Sequence, residues 1–290
     1  MDYGAILDES FAYAKTGCMD HWAKWLLLIV LPFLSLLLFL IIPFLPGDNT
    51  AMIVGVLIGV IILAVILALP LMGYMVRIYR GEKPAPELKP WGALFRDGLK
   101  LLVVEIIYAA PVILLLIAAF LPLVFAFITS GALTENFSGM SDAQVDLWMT
   151  AHPEFFSAAG FMVGFIILAV ILAIIIAVFS FIGTVRFART GHISEAFNFP
   201  AICAQIRRIG WINYIFALVI IAIIGFLFGM ITNVFSLIPV IGSLIGIVVM
   251  FFLYVPFIVF TSRYAALVYE SGEEKMLADT ISQAPVAPTQ

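Results

Sequence analysis

Five side chains carry the chemistry this sequence has within or beside its apolar stretches: Arg77, Glu105, Tyr108, Arg186 and Arg263. A guanidinium matches a phosphate or carboxylate with two parallel N–H donors, so three of them around one mouth suit an anion. The competing use is that arginines at the ends of apolar helices reach lipid phosphates and set orientation. Glu105 follows Lys100 at a distance of about 7.5 Å along a helix axis. A carboxylate at that depth is costly unless paired, protonated or hydrated. Asp97, Leu101, Glu105 and Tyr108 share one helical face. The expected partners of Glu105 are Arg77 and the Tyr108 hydroxyl, either as a staple between neighbouring helices or as a group that handles a proton or cation.

The remaining reactive residue types do not converge. His21, His152 and His192 fall in distant segments, and Cys18 and Cys203 lack any spacing that suits zinc. There is no nucleophile elbow, no phosphate-binding glycine loop and no pair of acids on one apolar helix face. The sequence therefore predicts no enzyme, no metal and no cofactor.

What must position these residues follows from composition. Of the 290 residues, 64% are apolar and only 11% charged, whereas soluble domains are about 45–50% apolar and about 25% charged. Mean hydropathy is +1.19. A soluble globule and a disordered chain are excluded, and a net charge of −4 gives no pull toward nucleic acid. A helix crosses a hydrocarbon core with roughly 20 apolar residues. Six stretches qualify: Trp25–Leu45, Met52–Val76, Leu101–Thr129, Phe155–Val185, Trp211–Val234 and Leu237–Val268. The fold class is an all-α polytopic membrane bundle.

Every one of the 14 Lys and Arg residues falls before span 1, in the 2–3 or 4–5 connector, or at the end of span 6 and beyond. The other connectors carry only acids: Asp48, Glu135, Asp142, Asp146 and Glu154. Positive residues near spans stay in the cytoplasm, so both termini are expected there, in the cell membrane. Asp2, Asp8 and Glu9 stand where a signal peptide would be basic, so span 1 is expected to be retained. Ser271–Gln290 reads as a disordered tail, leaving residues 1–270 as a single six-span domain.

Within that domain the order of elements recurs, as pseudo-repeats over about 1–77, 91–190 and 195–270. Each opens with a mixed-polarity segment suited to an interfacial amphipathic helix: Ala5–Lys24, Trp91–Lys100 and Glu195–Gly210. Pro70 and Arg77 in span 2 match the spacing of Pro256 and Arg263 in span 6, and Arg186 ends span 4. Glycines four apart (Gly55/Gly59, Gly160/Gly164, Gly225/Gly229, Gly242/Gly246) lie in the outer half of their spans, where small residues let helices approach closely. Tight outer halves would splay the inner ones and open a cytoplasm-facing cleft; the alternative is ordinary packing with no cavity. On the outer side, Ser141 and Gln144 predict a capping box for a short helix bearing Asp142 and Asp146. Asn136-Phe137-Ser138 is a glycosylation sequon.

Gly73-Tyr74, Arg77, Arg80-Gly81, Trp91, Leu94-Phe95, Asp97-Gly98-Leu99-Lys100, Ile107-Tyr108 and Pro111 form a dense pattern. It resembles the multi-pass membrane family numbered 4013 among the domains of unknown function, found mostly in archaea and in some bacteria. The resemblance implies a prokaryotic membrane protein and supplies no activity. Two functions are expected from the residues. One is binding or moving a lipid-like or anionic ligand at Arg77, Arg186, Arg263, Glu105 and Tyr108. The other is a non-catalytic scaffold or partner subunit that organises lipids or proteins. The partners would be the bilayer, an anionic lipid or small anion, and a second copy or a membrane protein, with no nucleic acid.

Overall fold

A computed structural model of the chain describes residues 1–35, 50–132, 137–235, 238 and 241–282. Among them every regular element is helical: α1 (Tyr3–Met19), α2 (Trp22–Leu34), α3 (Thr50–Tyr79), α4 (Trp91–Thr129), α5 (Asp142–Ala151), α6 (Glu154–Thr190), α7 (Phe199–Ile209), α8 (Trp211–Val234) and α9 (Gly242–Ser282). Five of these, α3, α4, α6, α8 and α9, are long and apolar enough to cross a membrane. The chain is a helical, multi-pass membrane protein. The first expected span, Trp25–Leu45, is seen only through α2 and Ser35; the rest of it, and Asn136 of the sequon, lie outside the described residues.

Helix boundaries follow local chemistry. The Asp2 carboxylate caps α1 by accepting from the Ala5 N–H at 3.1 Å. The axis then turns by 88° into α2. Glycines with positive φ follow four helices: Gly81 (87°) after α3, Gly131 (73°) after α4, Gly191 (75°) after α6 and Gly210 (98°) between α7 and α8. Asn198 caps α7, its Oδ1 accepting from the Ala201 N–H at 3.3 Å.

Two sequence expectations give way here. Trp91–Lys100 does not form a separate interfacial helix; it is the first part of α4. Nothing between Trp91 and Leu101 removes a backbone donor or demands a positive φ, whereas α7 and α8 are parted by Gly210. The expected tail is also shorter, because α9 continues to Ser282, past Ser271.

The chain divides into two compact units, residues 1–104 with 179–290 and residues 105–178. In the first, α9 packs against α1, α2, α3, α7 and α8. Tyr13, Leu28, Ile29, Leu71, Tyr74, Leu94 and Val255 form its core. In the second, Ala126, Phe155 and Ala158 are buried together. The Trp148 ring stacks on His152 at 4.1 Å and leans on Phe155 at 5.4 Å. The capping box of α5 forms as expected: Gln144 Oε1 accepts from the Ser141 N–H at 2.9 Å.

Close helix approach occurs at glycines other than the paired ones. A Cβ on Gly73 would fall 2.1 Å from the Leu94 carbonyl oxygen, and one on Gly98 would fall 2.0 Å from that of Leu69. The backbones of α3 and α4 therefore touch at a Gly73/Gly98 crossing near their basic ends. Gly55, Gly59, Gly160, Gly164, Gly225 and Gly229 have nothing within 4 Å of the same position. For these three pairs the expectation of pinched outer halves is not met; in the fourth, both Gly242 and Gly246 are buried, and a Cβ on Gly242 would fall 1.9 Å from the Phe235 carbonyl oxygen. Small residues permit close approach but do not supply a neighbour.

Candidate functional site

In the first unit, the charged ends of the helices form a collar of ion pairs. On α3, Arg77 is 7% exposed and spends its guanidinium on backbone, donating to the carbonyls of Glu87, Lys89 (2.9 Å) and Pro90 (3.5 Å). The next turn carries Arg80, whose Nη1 lies 2.8 Å from the buried Asp97 carboxylate and whose Nε donates to the Ala188 carbonyl at 3.0 Å. Arg80 thus joins α3 to α4 and α6. On α6, Arg186 Nε donates to Glu195 Oε2 at 2.7 Å. Arg189 reaches α9, pairing with Glu270 at 2.7 Å and Glu273 at 3.0 Å, with its guanidinium 4.8 Å from the Tyr269 ring centre.

Arg263 is the most enclosed of these cations, with no exposed surface. Its Nη2 donates to Glu9 Oε1 on α1 at 2.6 Å and lies 3.6 Å from Glu270 Oε2. The guanidinium sits 5.3 Å from the Tyr13 ring centre. Its Nε and Nη1 are buried without a hydrogen-bond partner. Glu9 also takes Lys83 at 2.6 Å. Burial alone would raise the Glu9 carboxyl, but hydrogen bonds from Lys83 and Arg263 hold it below the ordinary carboxylate range. The hydrogen bond from Arg186 and a further one from Asn198 lower Glu195 in the same way.

Arg77, Arg186 and Arg263 are therefore brought into one unit but share no common partner among the described residues. Each is held by its own carbonyls or carboxylate. Glu105 and Tyr108 belong to the second unit. Tyr108 is buried, while Glu105 is exposed on α4 and makes no ion pair among the described residues. Within its own unit, Arg77 is occupied by the loop that follows its helix.

Sequence reasoning missed Glu9, Glu270 and Arg189 as the centre of this network. The available signal was helical spacing: Glu9 and Tyr13 lie four apart on the α1 face that meets α9, and Glu270 and Glu273 follow the last apolar run of the sequence. Buried Cys18 is an inert member of α1, its thiol pushed up to about 11 by burial.

Two open cavities border the collar. One, of about 540 Å³, is walled by α1, α8 and α9 and carries Asp2, Glu9, Glu270 and Glu274. The other, of about 530 Å³, is lined by Thr16, Asp20, His21, Lys24 and the loop after α3. Among the described residues no group of His, Cys, Asp or Glu could hold a metal ion.

No curated protein and no solved structure matches the chain. One family profile does, over residues 56–237. The chain belongs to the family described as "Protein of unknown function (DUF4013)". The DUF4013 match begins within α3 and ends after α8. It contains the Gly73/Gly98 crossing, Arg77, the Arg80–Asp97 pair and the Arg186–Glu195 pair. Glu9, Arg263 and Glu270 lie outside the matched residues.

Proposed function

We propose that this DUF4013 protein is a non-catalytic membrane scaffold: a rigid charged collar holding spans whose apolar faces assemble with further copies of the chain. One observation carries the reading: three spans present paired glycines, at 55/59, 160/164 and 225/229, and nothing from another helix stands within 4 Å of where a Cβ on any of them would be. In lipid, close backbone packing is a main source of helix association. The alternative is a lipid-like or anionic ligand held at Arg77, Arg186 and Arg263 in a cytoplasm-facing cleft. It receives less support, because each guanidinium would first have to leave a partner it already holds.

The proposal includes both termini in the cytoplasm of a cell membrane and a three-fold αα repeat. The repeat is supported by the burial of Arg77 and Arg263 at the same spacing from Pro70 and Pro256. Native mass spectrometry of the protein released from lipid nanodiscs tests the assembly. A multimer is expected, weakened by Leu at each glycine pair in turn. A monomer at every protein concentration in lipid would sink the reading. Orientation is tested separately by thiol labelling from outside: Asp142→Cys should react and Ala85→Cys should not.

A further inference from the structure

Most arginines of the first unit are committed to the collar, but Arg207 and Arg208 on α7 are not. Both are exposed and make no ion pair among the described residues. Arg208 Nη1 has only the Gln205 side-chain oxygen, at 3.4 Å. Their direction is fixed from beneath. The opposite face of α7 buries Ile202, Gln205, Ile206 and Ile209. Gln205 Nε2 donates to the Tyr269 carbonyl of α9 at 2.9 Å, which leaves its Oε1 for Arg208. The seat is tight: a Cβ on Gly272 of α9 would meet Gln205 Nε2 at 2.8 Å and Ile209 Cγ1 at 2.9 Å. The helix cannot roll to turn its arginines elsewhere without losing these contacts.

Their level is fixed as well. Only Gly210, at φ 98°, separates α7 from α8, a span that opens with Trp211 (43% exposed) and Ile212 (74% exposed). Trp at the start of a span sits at headgroup depth. The guanidiniums therefore stand within about one helical turn of that depth.

We propose that Arg207 and Arg208, with Trp211 and Ile212 beside them, form a contact site for the phosphate headgroup of an anionic phospholipid in the leaflet where α8 enters the membrane. Two unpaired guanidiniums supply bidentate donors for the headgroup phosphate. The adjoining Trp and Ile supply an apolar wall for the first acyl carbons. Gln205 is a positioning residue that ties the site to Tyr269 of α9, whose ring lies against the Arg189 guanidinium of the collar.

The test is tryptophan quenching by brominated lipids in nanodiscs of the full chain, comparing brominated phosphatidylglycerol with brominated phosphatidylcholine. Subtracting the Trp211→Phe signal isolates Trp211. Wild type should prefer the anionic lipid, by about fivefold for each arginine. Arg207→Gln/Arg208→Gln should abolish the preference while leaving the unfolding temperature unchanged, since neither side chain is buried. A preference that survives the double substitution overturns the site. So does equal quenching by both lipids in wild type. Gly272→Leu, which lifts α7 from α9, should lose the preference with both arginines still present; retention would show that the seat does not position them.

Discussion

Helix α3 carries two kinds of glycine. Gly73 touches the backbone of α4, while Gly55 and Gly59, on the same helix, face open space. The four-residue pairs drew attention in the sequence, yet the isolated Gly73 and Gly98 do the packing. The difference lies in what surrounds them. Gly73 and Gly98 sit where Arg80–Asp97 and the carbonyl ligands of Arg77 already draw the two helices together. Polar groups at the basic ends fix the helices, and glycine there removes the steric obstacle. Along the apolar halves, lipid competes on equal terms with other helices, so small residues alone bring no partner from within the chain.

The largest expected effect comes from filling the crossing. Gly73→Leu or Gly98→Leu puts carbon against a backbone oxygen that cannot move aside, costing about 3 kcal/mol. Thermal unfolding in detergent should show the loss. An unchanged midpoint would mean that α3 and α4 do not touch there.

Next is Glu9→Gln, which leaves Arg263 buried with a neutral acceptor in place of its carboxylate. A cost of about 2 kcal/mol is expected, as for a hydrogen bond to a charged group. The same pair sets a pH dependence. Glu9 is held below the ordinary carboxylate range in the fold, so the unfolded chain binds the proton first as pH falls. Its contribution is complete above that range and is lost as pH drops through the folded value. The unfolding midpoint of Glu9→Gln should therefore vary less with acid pH than that of wild type. Equal slopes would remove Glu9 from the account.

The smallest effect on the isolated chain is predicted for Gly55→Leu/Gly59→Leu: within about 0.5 kcal/mol, since nothing is displaced. Self-association in lipid is where that variant should register. A large stability loss in the dilute monomer would show that α3 packs its far half within the chain.

Much of this architecture was legible. Apolar length gave the membrane helices, and the Arg residues that cluster in the sequence at the ends of α3 and α6 bond to α4, α6 and α9 in the collar. Ser141 and Gln144 announced α5 through a local bond that needs no tertiary context. Glu195 lies close enough in sequence to Arg186 for its pairing to be local. The Glu9–Arg263 bond spans nearly the whole chain, and no periodicity specifies which carboxylate a distant guanidinium meets. Arg77 was hidden for a related reason: its place at the end of a span was readable, but its commitment to the carbonyls of Lys89 and Pro90 was not.

The collar has one further consequence, for how the chain enters a bilayer. Arg80 on α3 meets Asp97 on α4, Arg189 on α6 meets Glu270 on α9, and Arg263 on α9 meets Glu9 on α1. Each bond requires two helix ends to emerge from the same surface. A hairpin threaded upside down would strand a buried carboxylate or guanidinium on the wrong side, where it has no counterpart. The atoms that bolt the folded protein together therefore also proofread its insertion.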